Sequence, residues 1–134
     1  MKDDELIERF EACTLRPDEF RHRDHVKMAW LYLRRYSTIE ALSRFSEALK
    51  RFAGHLGKPD LYHETITWGH IFLIHERMLR SSDVGSWLEF EAANADLFDW
   101  QNGIIKQMYG DAVITSETAR QIFVLPTRSL TTKP

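Results

Sequence analysis

The sequence predicts an all-α fold, a compact helical bundle of four main helices plus shorter C-terminal helices, on three observations. Leu42, Phe45, Leu49, Phe52 and Leu56 step by three and four residues, the repeat of one helix face. Ser37 and Ser86 each stand three residues before a glutamate, the capping-box spacing that opens a helix. The stretch 60–80, DLYHETITWGHIFLIHERMLR, carries apolar side chains nearly all the way round a helix, a pattern that belongs inside a protein.

Taken in order, residues 3–14 form a first helix, with Asp3 or Asp4 as N-cap and Leu6, Phe10 and Cys13 facing the core. Cys13 reads as a small core residue, and Pro17 makes 15–21 a connection, because proline disfavours helical geometry in the residue before it. A second helix spans 24–36, with Asp24 at its start and Val26, Ala29, Trp30, Leu33 and Tyr36 facing inward. The third opens at Ser37, packs lengthwise through its leucine and phenylalanine stripe, and stops at Gly54 or Gly57 before Pro59. The fourth is the central stretch 60–80, with only Thr65, Gly69, Glu76 and Arg80 on a solvent strip. A short fifth helix runs from Ser86 to about Ala93, and a sixth over 99–109 buries Trp100, Ile104, Ile105 and Met108. Residues 115–121 suit a last short helix, and the apolar segment 122–125 is expected to be extended and pinned on the bundle. The expected organisation is one domain over 1–126 and a flexible tail over 127–134.

The 134 residues, 15.8 kDa, suffice for a core that buries about two-thirds of the unfolded surface without staples. A single cysteine allows no internal disulfide, and the acidic start MKDDELIERF lacks the basic and then apolar pattern of a signal peptide, so the expected location is cytoplasmic. The longest apolar run is six residues, 28–33, far short of the ~20 that span a bilayer. With a net charge of −2 and pI near 6.3 the chain lacks the basic footprint of a nucleic-acid binder. The partners expected are a small-molecule ligand or a second copy of the chain, with neither nucleic acid nor membrane.

The central stretch also concentrates ionisable groups, holding His63, His70 and His75 of the six histidines. On a helix His63, Thr67 and His70 share one face, and Glu64 and His75 another. His63 and His70 lie about 10 Å apart along the axis, too far to hold one ion. A metal site would therefore draw on His22 and His25 at the start of the second helix. One reading places a divalent metal, zinc or another first-row ion, on His22, His25 and His63, with Glu64 as a fourth ligand or as the catalytic base that deprotonates a bound water in a hydrolytic reaction. A second is a metal-free ligand pocket in which Glu64 pairs with His22, His25 or Arg23, with Trp68, Trp30 and Tyr62 as apolar wall. In either, Arg23, Thr67, Trp68 and His70 are the substrate-binding candidates, and His70 could stand in for His63. A third reading makes the protein a helical interaction module or homodimer whose polar groups serve packing alone. His55 suits the negative end of the third helix dipole, and His75 reads as a hydrogen-bonded core histidine.

Three segments, FRHRDHVKMAWLYL at 20–33, LYHETITW at 61–68 and FVLP at 123–126, resemble a group of small, uncharacterised bacterial all-helical proteins. That resemblance implies a bacterial single-domain protein and carries over no activity, cofactor or site residue. The several helix-borne histidines are similar to those of metal-binding four-helix bundles of the DinB type, although no His-x-x-x-His occurs here. The adjacent His63–Glu64 resembles the His–Asp dyad of HD-type metal-dependent phosphohydrolases, with Glu in place of Asp.

Overall fold

A computed structural model describes residues 1–80, 85–99 and 103–126. Every regular element among them is helical: α1 (Asp3–Glu11), α2 (His22–Arg35), α3 (Thr38–His55), α4 (Glu64–Arg80), α5 (Trp87–Ala93), α6 (Ile104–Tyr109), α7 (Asp111–Ile114) and α8 (Glu117–Gln121). Short 3-10 turns at Pro17–Glu19, Pro59–Leu61 and Ala95–Phe98 join them. The expected tail, residues 127–134, and Trp100 lie outside the described residues. No helix among those described is long and apolar enough to cross a membrane.

Helices α2, α3 and α4 pack against one another, and α1 lies on α3. Phe10 is fully buried among the rings of Phe20, Tyr32, Phe45 and Phe52, at centroid distances of 4.8 to 6.2 Å. Aromatic burial on this scale dominates core energetics, and tilted and edge-on pairs such as these are the favoured geometries. The Tyr32 hydroxyl donates to Glu11, so the one polar atom carried into this cluster is satisfied.

The ends of the helices differ from the sequence expectation in ways that bear on the site. Helix α1 stops at residue 11, not 14. Cys13 adopts φ 59° and stands as the left-handed residue of a Schellman motif, with Cys13 N–H donating to Phe10 O and Thr14 N–H to Arg9 O. Gly57, at φ 73°, ends α3 in the same way, its N–H donating to Gly54 O and that of Lys58 to Ala53 O. At Ser37 only half of the capping box forms. The serine accepts from Glu40 N–H, while the Glu40 carboxylate pairs with Arg44. At Ser86 both halves form.

Helix α2 begins two residues before Asp24, because the Asp24 carboxylate accepts the Arg21 N–H at 2.9 Å and so sits in the first turn. This places His22 and His25 on one helical face. Helix α4 begins at Glu64 and not at residue 60. His63 supplies the cap, its Nδ1 accepting the Ile66 N–H at 3.0 Å.

The solvent strip of α4 is also rotated from its expected position. Thr65 is fully buried, whereas Phe72 and Leu79 are exposed. The C-terminal segment is the cause: the Thr65 hydroxyl donates to Ile122 O at 2.8 Å and accepts from Val124 N–H at 3.0 Å. Tyr109 donates to Val124 O, and Phe123 stacks on Trp68 at 5.3 Å. Residues 122–126 thus lie non-helical along α4, pinned as their apolar pattern suggests.

Candidate functional site

A cavity of about 630 Å³ opens between α2, α3 and α4. Its α3 wall is apolar, built from Phe45, Leu49, Phe52, Ala53 and Leu56. Helix α2 contributes Val26 and Ala29, α4 contributes Ile66 and Thr67, and Phe20 and Tyr62 come from the connections. The exposed residues Pro17, Lys58, Asp60 and Leu61 mark the mouth. The volume lies within the usual range for a small-molecule site, as does the mixture of apolar wall with a few polar groups. The space exists because Ala29 and Ala53 stand on helix faces where larger side chains would fill the core.

Four histidines line this cavity, and their hydrogen bonds fix what each can do. His63 bridges two elements: Nδ1 accepts from Ile66 N–H, and Nε2–H donates to Ile114 O at 2.7 Å. Both nitrogens are therefore engaged, and the tautomer is set by the carbonyl, which can only accept. His22 donates through Nε2 to Leu97 O at 2.9 Å, tying α2 to the turn at Ala95–Phe98. His70 donates through Nδ1 to Ile66 O at 2.9 Å, one turn back in its own helix. In the neutral ring Nε2 is then a hydrogen-bond acceptor. His25 lies face to face with Phe20 at 4.0 Å, and the His22 and His70 rings meet edge-on at 5.5 Å.

Burial sets the charge of this cluster. It pushes His25 down to about 4, helped by the charges that His22 and His70 would carry and opposed by a hydrogen bond to the Phe20 backbone. Burial likewise pushes His70 to about 4, against its bond to Ile66 O. Desolvation disfavours the imidazolium. At neutral pH the deep wall of the cavity therefore presents uncharged imidazoles from His25 and His70.

The structure brings His22, His25, His63, Thr67 and His70 onto one cavity and leaves Arg23, Glu64 and Trp68 off it. Thr67 and His70 follow His63 on one helix face, whereas Glu64 and Trp68, four residues apart, share another. The Glu64 carboxylate accepts from the Tyr62 hydroxyl at 2.5 Å and faces Lys50 at 4.0 Å, so it pairs with none of His22, His25 or Arg23. Burial, together with that carboxylate, pushes the Tyr62 phenol up. Arg23 makes a two-pronged ion pair with Glu91, at 2.6 and 2.9 Å, and clamps α5 to α2 over the Trp87 ring. Trp30 packs on Trp87 instead of lining the cavity.

The ligand set His22, His25 and His63 with Glu64 is thus not assembled, since a metal on His63 would have to displace the partner of one of its two ring nitrogens and Glu64 is engaged by Tyr62 and Lys50. Among the described residues no three His, Cys, Asp or Glu side chains group so as to hold a metal ion. His75 is partly buried and hydrogen-bonded to the Thr38 hydroxyl. Sequence reasoning missed the α3 wall entirely. The only signal for it was small residues, Ala29 and Ala53, interrupting faces otherwise made of bulky side chains. No protein-family model matches the chain, and neither the curated proteins nor the solved structures compared with it give a match.

Proposed function

We propose that this chain is a bundle of four main helices that binds a small, predominantly apolar molecule in the cavity between α2, α3 and α4. The observation that carries this reading is the cavity itself: some 630 Å³ of space walled by phenylalanine, leucine and alanine on one side and neutral imidazoles on the other. A folded core normally closes such space, because interiors pack to the density of organic crystals and unfilled volume is costly. A ligand would restore the missing contacts and exclude water from the phenylalanine wall.

The test is a titration with neutral aromatic probes such as n-propylbenzene, followed by amide chemical shifts. Saturable shifts at Ala29, Ala53, Ile66 and Thr67, abolished by the filling variant Ala53→Leu, are the expected result. Shifts scattered over the surface, or none, would overturn the proposal. Organic extraction of the purified protein, analysed by mass spectrometry, would then identify what it carries.

A further inference from the structure

We infer that the cavity selects ligands bearing a hydroxyl donor on an aromatic body, the phenol class, and that Nε2 of His70 is the acceptor that recognises the hydroxyl. The inference rests on the ligand-binding reading above and adds the chemistry of what is chosen.

Three groups of observations lead to it. His70 gives its Nδ1–H to Ile66 O, so the neutral ring has only a lone pair at Nε2, and among the described residues no group donates to it. His70 lies on the cavity wall, enclosed enough that burial holds it uncharged far below the ordinary imidazole range. The remaining wall is mostly aromatic and apolar, with Phe20 stacked on His25 and set edge-on to Phe52 at 5.1 Å, and its other polar side chains are His22, His25, His63 and Thr67.

These features discriminate between ligand classes. An anionic head finds no lysine or arginine inside, since Lys58 stands exposed at the mouth. A cationic ligand would lose its hydration to face uncharged imidazoles, with Asp60 likewise at the mouth and already paired with Arg120. A bare hydrocarbon would displace water from Nε2 and leave a desolvated acceptor unsatisfied. A phenol hydroxyl replaces that water and donates, while its ring fills the aromatic wall. The analogue lacking the donor leaves that acceptor desolvated and unpaired, which counts against it.

The experiment compares 4-propylphenol, its isostere 4-propyltoluene and the ether 4-propylanisole, which accepts but cannot donate. Binding is followed by amide shifts and by the ¹⁵N resonance of His70 Nε2. The wild-type protein should favour the phenol by about ten-fold over both analogues, the worth of one hydrogen bond to an otherwise unsatisfied acceptor, and the Nε2 resonance should move with the phenol alone. His70→Asn keeps an N–H near the Nδ1 position for Ile66 O and removes Nε2, so it should bind the three probes alike. His70→Gln, with an amide oxygen near the Nε2 position, should recover part of the preference. Equal binding of the three probes by wild type overturns this inference and leaves the ligand-binding reading standing. No binding of any probe overturns both. A preference that survives in His70→Asn, or an unmoved Nε2 resonance in wild type, removes His70 as the acceptor even if the Asn variant proves unstable.

Discussion

Lowering the pH from 7 to about 4.5 should strip this protein of a large part of its stability through His25 and His70. Both have folded-state values near 4 against an ordinary imidazole value of 6.5. Between those limits the unfolded chain binds more protons than the folded one, so protonation draws the equilibrium toward unfolding. The stabilisation is fully present above pH 6.5, falls as the pH drops through the window, and levels off near pH 4. Each tenfold difference in proton affinity between the folded and unfolded ring is worth about 1.36 kcal/mol, so by about pH 4.5 each ring removes about 2–3 kcal/mol, or about 5 kcal/mol for the two. That is comparable with a third or more of the 5–15 kcal/mol that holds a typical domain folded. The carboxylates of Glu19, Glu91, Asp96 and Glu117 are held low by their arginine partners and hydrogen bonds. Their contribution is lost only as the pH falls below their ordinary values of 4.5 and 3.8, so the upper part of the window isolates the histidines. Urea midpoints measured by circular dichroism across this range should fall steadily, with about half the slope removed in His70→Asn. Histidine ring resonances should show two side chains that do not titrate above pH ~5. A midpoint constant between pH 7 and 5, or ordinary titration of both rings near 6.5, would refute the reasoning, because it would mean that water reaches the cluster freely.

Further substitutions test how the site is framed. Thr65→Val keeps the shape of the side chain but strands Ile122 O and Val124 N–H, and should cost about 2–4 kcal/mol from two unsatisfied backbone groups. Hydrogen exchange at Val124 should accelerate in this variant, and Thr65→Ser should restore protection. Arg23→Ala and Glu64→Gln remove groups that the sequence nominated for the site but that the structure places off the cavity. Probe affinity should be unchanged in both, and Arg23→Ala should lower stability by no more than about 1 kcal/mol, since its pair with Glu91 is half exposed.

The site was half legible from residue spacing. His22 and His25, three apart, and His63, Thr67 and His70, at helical spacing, fall together on the cavity because side chains on one face of one helix must share a neighbourhood. What spacing could not supply was the distant hydrogen-bond partners of His22 and of the Nε2 of His63. The carbonyls of Leu97 and Ile114 lie 75 and 51 residues away in sequence from the histidines they engage. The Ile114 carbonyl takes the Nε2–H of His63 and so leaves Nδ1 to cap α4, whereas His70 keeps an acceptor through its local bond to Ile66 O. Glu64 and Arg23 stand off the cavity for the same reason, because each found an opposite charge or a phenol on a neighbouring element closer than the histidine cluster.

By itself the sequence determined that this chain is all-helical and where most of its helices lie, since the apolar repeats of α1 to α4 and the serine caps of α3 and α5 are local signals, written within a few turns. The apolar run closed by Pro126 suggested an extended FVLP segment, but its place along α4 was decided by the bonds to Thr65 and the stacking on Trp68. Tertiary structure alone decided that Thr65 is interior and Leu79 exterior, that a cavity remains between α2, α3 and α4, and that two imidazoles within it are neutral. Burial and the charge state of a buried ring depend on which surfaces from distant parts of the chain meet, and on how much water their packing shuts out.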